Sequence, residues 1–247
     1  VFYYQFQTPK VTAAAGIFTR DMMHDDDYST AFFSESERFF HNRMNGVLAQ
    51  YNGKRNSYVE FVCDWEGMYS TLSREKFRIL LAGRHYLDTF YYGFNYSMFH
   101  YAGQQGAPIE NVVDLQLLNP CVGVRFNAFF DFDIKLGALL TAQRDRSFGH
   151  SWEKPCMGEF AFRISRWGLS LDERLYVGDN IHPFFYGHEL EDGTPLPYGR
   201  ELYPAESFFR TDQKVYSRTA LSYRRSFFND TVSVRAEFAA HHDGTAL

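Results

Sequence analysis

FDFDIKLGALLT, residues 130–141, separates two chemistries with a period of two. Its even positions are Phe130, Phe132, Ile134, Leu136, Ala138 and Leu140, and its odd positions begin Asp131, Asp133, Lys135 and Gly137. Side chains of a β-strand alternate between faces, whereas a helix would mix Phe132 with Asp133, so the run reads as a strand. At about 3.4 Å per residue it spans roughly 40 Å, about twice the usual strand and enough to cross a bilayer when tilted.

The same alternation recurs along the chain. VFYYQF (1–6) is answered by VTAAAGIFT (11–19), with Val11, Ala13, Ala15 and Ile17 on one face. A long polar segment, about 20–43, carries HDDD (24–27) and AFFSESERFF (31–40). NGVLAQY (45–51) and YVEFVCDW (58–65) flank a 52–57 turn whose Asn-Gly is a hairpin signal. KFRILLAGRHY (76–86) turns at 87–89 into FYYGFNYSMFHY (90–101), and a loop from 103 to about 114 precedes a strand over about 117–126. After the opening stretch and a 143–156 loop, MGEFAFRIS (157–165) turns at Trp167-Gly168 into LSLDERLYV (169–177). There Glu173 on the apolar face predicts a bulge or a strand end. The longest connection, 178–213, leads to VYSRTALSY (215–223), a turn at Asn229-Asp230 and TVSVRAEFAA (231–240).

These are twelve strands and no convincing helix, joined by connections that alternate short and long. That order predicts up-and-down hairpins with tight turns at one end and long loops at the other, the asymmetry of a transmembrane β-barrel rather than of a Greek-key sandwich. One β-barrel domain over 1–247 is expected. Aromatics make up 19% of the chain, 26 Phe and 17 Tyr, as interface girdles or a carbohydrate-binding surface require. No apolar run is long enough for a membrane helix, so any spanning is by strands. The net charge of −5 argues against a nucleic-acid partner. Cys63, Cys121 and Cys156 are too few and scattered for a disulfide framework or a metal site.

A ring of twelve or more strands is too wide for a dry core, so the apolar face is expected outward, in lipid. Tyr51, Tyr58, Tyr86, Phe129, Trp167, Phe227 and Phe228 then fall near the turns, where a girdle belongs. The inward set holds the acids Glu60, Asp64, Asp131, Asp133, Glu159, Asp172 and Glu237. Its bases are Lys76, Arg78, Arg84, Arg125, Lys135, Arg163, Arg174, Arg218, Arg224 and Arg235. Ten bases against seven acids give a lumen of about +3, suited to polar solutes with a mild anion bias. The competing reading is that these charges pair across strands and stiffen a plugged barrel.

The runs AAGIFTRD (14–21), DYSTAFFSES (27–36), YVEFVCDWEGM (58–68), LNPCVGV (118–124), RDRSFGHSW (144–152) and LYVGDN (175–180) carry a resemblance. Over about residues 11–240 the chain resembles a family of porin-like outer-membrane proteins of Bacteroidota-type bacteria. The resemblance implies a bacterial outer-membrane location and a β-barrel fold. It implies no substrate and no active site.

No cofactor is expected. HDDD lacks the spaced ligands and glycine of a calcium loop and reads as solvated loop, and Arg144-Asp145-Arg146 reads as a surface charge cluster. Ser151, His150, His182, His188 and Asp192 lie in loops at one rim, but their spacing singles out no nucleophile with its base, so no catalytic residue is assigned and a hydrolase stays the weaker alternative. His241-His242 has no evident partner. Phe184, Phe185, Tyr186, Tyr198, Tyr203, Phe208 and Phe209 crowd the 178–213 loop. They offer a surface lipoprotein or a glycan a platform, or fold inward as a constriction. Val1 opens directly in a strand-like run, as a mature or trimmed segment would. Parity completes the expectations: with short turns at the periplasmic end, both termini fall outside, so a barrel of fourteen or more strands, incomplete here at both ends, is predicted.

Overall fold

The computed structural model describes residues 1–24, 28–107, 112–146, 151–182, 202–210, 213–229 and 231–243. Twelve strands form one antiparallel sheet in sequence order. They are β1 (Phe2–Gln7), β2 (Val11–Thr19), β3 (Arg43–Asn52), β4 (Tyr58–Gly67), β5 (Lys76–Leu87), β6 (Phe90–Tyr101), β7 (Val113–Asn127), β8 (Asp131–Asp145), β9 (Cys156–Arg166), β10 (Leu169–Gly178), β11 (Val215–Phe227) and β12 (Val232–His242). The sheet is open. Among the described residues β1 pairs only with β2 and β12 only with β11, and no pairing joins β1 to β12.

The register confirms the faces read from the alternation. In β8 the odd residues from Asp131 to Asp145 share a face with Arg125 and Asn119 of β7 and with Glu159 and Arg163 of β9. Glu60 has the partners Gln50 and Ala82, and its row continues through Asn95 to Asn119. Glu60 is the third residue of β4, Asn95 the sixth of β6, and Asn119 stands eight residues before the end of β7. The row therefore climbs away from the turns by about three residues per hairpin, the stagger of strands tilted against a cylinder axis.

The sheet also curls. Between β4 and β10 lie six strand spacings, about 29 Å if flat. Yet Tyr28 donates to Glu60 of β4 at 3.2 Å while its neighbour Ser29 meets the Tyr176 hydroxyl of β10 at 2.9 Å. Two adjacent residues can reach both only across a concave face.

Burial across this face is inverted relative to a soluble sheet. In β4, Glu60 and Asp64 are buried, while the alternating Val59 and Trp65 are 56% and 41% exposed. Phe90, Tyr92 and Phe94 of β6, Leu136 and Leu140 of β8 and Phe238 of β12 are likewise exposed.

Several local expectations change. A short helix, α1 (Glu35–Phe40), lies in the segment read as polar loop; the Ser34 hydroxyl caps it by accepting from Glu37 N–H. Ser34 with Glu37 three residues on is a capping signature, and it was the available signal. β7 starts at Val113 and β8 runs to Asp145, further than read, because Asp114 and Arg144 are cross-strand partners rather than loop charges. No bulge accompanies Glu173: the β9–β10 and β10–β11 registers are regular, and Thr219 donates to its carboxylate. Asn52-Gly53 is not itself the hairpin turn. The left-handed residues are Arg55 and Asn56, in a 3-10 turn over Lys54–Asn56 closed by Gly53 N–H to Ser57 O at 2.7 Å. At Trp167-Gly168 both φ angles are positive, 53° and 83°, the two-residue geometry that matches strand twist. Of the girdle residues, Tyr51, Phe129, Trp167, Phe227 and Phe228 are exposed, but Tyr58 is buried on the concave side and Tyr86 shares that face.

Candidate functional site: the concave face

All seventeen charged residues expected to line the interior share the concave face, linked by the cross-strand register: Glu60, Asp64, Lys76, Arg78, Arg84, Arg125, Asp131, Asp133, Lys135, Glu159, Arg163, Asp172, Arg174, Arg218, Arg224, Arg235 and Glu237. They divide by what covers them. Glu60, Asp64, Arg78, Arg84, Glu159, Asp172 and Arg218 are buried, whereas Arg125, Asp131, Arg163, Arg224, Arg235 and Glu237 are exposed.

The cover is the connection between β2 and β3. Leaving β2, Arg20 donates from its Nε to His41 O at 3.1 Å and its guanidinium lies 4.3 Å from the Phe33 ring centroid. Arg78 lies over the same ring at 5.2 Å and over Phe99 at 4.6 Å, so one aromatic separates two cations. Burial and the nearby Arg78 lower the Arg20 pKa, with Asp64, Glu37 and Glu66 opposing. The chain then dips to Glu60, whose carboxylate accepts from His24 N–H at 2.9 Å, Gln50 Nε2 at 2.7 Å and Tyr28. His24 stacks on Tyr58 with centroids 3.7 Å apart. A buried carboxylate is tolerable only with such a full set of donors.

A second strip of chain joins it. Ser34 N–H donates to Pro204 O at 2.8 Å, Glu206 N–H to Thr30 O at 3.1 Å, and Glu35 N–H to a Glu206 carboxylate oxygen at 2.8 Å. Behind it, Phe208 stacks on Tyr216 at 4.1 Å and Phe209 packs edge-on against Tyr176. Thus Tyr203, Phe208 and Phe209, offered as platform or constriction, are buried inside the curl, because their rings fill its width. Phe184, Phe185, Tyr186 and Tyr198 lie outside the described residues.

Below this cover the charges are laced into pairs. Arg125 grips Asp133 through Nε and Nη2 at 3.0 and 2.6 Å, and Tyr91 donates to the other Asp133 oxygen at 2.7 Å. The room for Tyr91 comes from its cross-strand partner Gly123, where a Cβ would lie 2.3 Å from the ring. Lys135 meets Glu159 at 3.1 Å, beside Gly137, and Asn119 donates to the second Glu159 oxygen at 2.9 Å. Arg163 pairs with Asp172 at 2.5 Å, and Asn127 donates to Asp131.

Beyond those pairs opens a cavity of about 1020 Å³ against β9–β12, with α1 on its other side. Its wall contains two like-charge oppositions. Arg174 is the direct cross-strand partner of Arg218, and Arg224 of Arg235. Such pairs destabilise a sheet. Glu237 offsets part of this by accepting from Arg218 at 2.6 Å and from Arg235, and Glu35 reaches Arg218 at 3.3 Å. Among the described residues Arg224 has no ion pair. Arg163, Asp172 and Arg174 also line a smaller, adjacent cavity bounded by Tyr28, Arg84, Arg125 and Lys135.

The remaining candidates do not converge. His182 is buried and stacked on Tyr203 at 4.2 Å, and Ser151 is exposed; His150, His188, Asp192 and Asp25–Asp27 of HDDD lie outside the described residues. Arg144 and Arg146 are not a free surface cluster: both clasp Asp114, at 2.8 Å each, while Asp145 is buried. His241 does have a partner, the Tyr216 hydroxyl. Cys63, Cys121 and Cys156 are free thiols. Comparison with family models, curated proteins and solved structures finds no match for this chain.

Proposed function

We propose that this chain forms the wall of a porin-like β-barrel in a bacterial outer membrane and lets small polar solutes, anions preferentially, pass along its concave face. The observation that carries the reading is the inverted burial: ionic side chains are packed inside while Phe, Leu, Val and Trp side chains of the same strands face out. In water such a belt is a large apolar exposure, and in hydrocarbon it is the favoured arrangement. Exposed Phe129, Trp167 and Phe228 at the turns fit the interfacial position of aromatic belts. The arginine-rich wall of the larger cavity, with Arg224 and Arg235 exposed in direct opposition, supports the anion preference. Hydrocarbon does not tolerate unpaired strand edges, so in the membrane the β1 and β12 edges would each need a pairing partner.

Conductance across a planar bilayer tests it. Ohmic conductance with a reversal potential displaced toward anions is expected in a salt gradient. The absence of any conductance from correctly inserted protein would overturn diffusion. A second reading, a sealed accessory barrel whose outer loops hold a surface lipoprotein or glycan, is favoured by the packed cover around Phe33 and Phe209, and would then take its place.

A further inference from the structure

The outward face near the turns carries a feature that neither a uniform lipid belt nor the interior explains. Gly83 of β5 is the one outward residue of its strand without a side chain, and its cross-strand partners are Val59 and Phe94, both exposed. A Cβ there would sit 3.4 Å from both Phe94 Cε1 and the Tyr58 carbonyl oxygen and 3.7 Å from Val59 Cγ2, ordinary contact distances, so the missing side chain leaves a furrow between two apolar walls. The furrow holds about 640 Å³ and is walled by Tyr51, Val59, Tyr92 and Phe94. That is a ligand-sized volume with an apolar lining. His85 and Tyr92, with ring centroids 5.4 Å apart, stand along one flank.

The turn-side end of the furrow is basic. Lys54 and Arg55 of the β3–β4 turn line it, and both are exposed. Arg55 reaches across to Asp88 in the β5–β6 turn at 3.3 Å, which joins the two turns over the furrow. The pair is too exposed to be a strong attachment, so Arg55 can exchange it for a better anion. Two cations against one carboxylate at the end of an apolar groove match a molecule with an anionic head and a hydrocarbon tail.

We propose that this furrow is a specific site for one anionic glycerophospholipid, its acyl chain lying over Gly83 and its phosphate held by Lys54 and Arg55. The proposal rests on the membrane reading above and adds to it a defined lipid stoichiometry and headgroup preference. The test uses the full chain purified in detergent, stripped of lipid, and titrated with phosphatidylglycerol or phosphatidylcholine while bound lipid is counted by native mass spectrometry. One phosphatidylglycerol bound at least tenfold more tightly than phosphatidylcholine is expected. Gly83→Leu, which fills the furrow, should weaken both lipids at least tenfold. Lys54→Glu with Arg55→Glu should abolish the headgroup preference and leave the chain folded, since both side chains are exposed. Equal affinity for the two lipids, or unchanged binding by Gly83→Leu, would overturn the site while leaving a detergent-dependent protein and the membrane reading in place. A chain that is monodisperse without detergent would overturn both.

Discussion

Around Phe33 the concave face is covered by chain, whereas around Arg224 the same face opens onto a cavity. The two regions treat charge differently. Under the cover, the Glu60 carboxylate is enclosed by His24, Gln50 and Tyr28, and the Arg20 and Arg78 guanidinium groups lie over the Phe33 ring although Arg20 Nη1 and Arg78 Nε lack hydrogen-bond partners among the described residues. In the open region arginines face each other across strands with fewer carboxylates than cations. A buried charge costs several kcal/mol unless fully partnered, while a charge beside water does not. The covered region therefore depends on packing and partners for its stability, whereas the open one tolerates opposed like charges, which is where the proposed anion preference would reside.

The sharpest way to break this contrast is to remove the cover's central ring. Phe33→Ala takes away a fully buried side chain wedged between Arg20 and Arg78, and should cost about 3–5 kcal/mol in the stability of the detergent-solubilised protein. A loss below about 1 kcal/mol would mean the cover is an accessory to the fold. Next in size is the pair at the boundary between the regions. Lys135→Met leaves the Glu159 carboxylate enclosed without its cation, at a cost of about 3 kcal/mol, and adding Glu159→Gln should recover much of it. Equal losses in single and double variants would show that the pair does not act as a unit.

In the open region stability and function should separate. Arg224→Glu together with Arg235→Glu exchanges an opposed cation pair for an opposed anion pair and replaces the half-exposed Arg235–Glu237 ion pair with two carboxylates, so the stability loss should not exceed about 2 kcal/mol. The reversal potential in a salt gradient should nevertheless move from anion to cation preference. An unchanged reversal potential would remove these arginines from the path. The smallest effect is expected where α1 touches the wall: Glu35 is half exposed, and Glu35→Ala should cost less than about 1 kcal/mol by thermal unfolding.

The sheet was legible because its signal is local. Alternation in residues 130–141 fixes the face of every β8 side chain, and the neighbouring strands inherit it through the register, so the seventeen inward charges could be assigned by parity alone. The cover was not legible for the opposite reason. HDDD and SESER look solvated, yet Tyr28, Phe32 and Phe33 beside them are buried against residues far away in sequence. Such contacts have no periodicity. Nor does any local pattern announce that Arg174 will stand opposite Arg218, since that depends on the register between two strands separated by the longest loop.

The central claim is that alternate residues of one strand meet lipid and water-lined protein. Single nitroxide labels placed at successive positions from Phe132 to Leu140 in liposome-reconstituted protein test it, with collision rates measured against oxygen and a water-soluble nickel complex. The account predicts oxygen accessibility rising at Phe132, Ile134, Leu136, Ala138 and Leu140 and falling at Asp133, Lys135, Gly137 and Leu139, a period of two in the phase of the exposed face. A flat profile, or nickel accessibility peaking at the apolar positions, would contradict it.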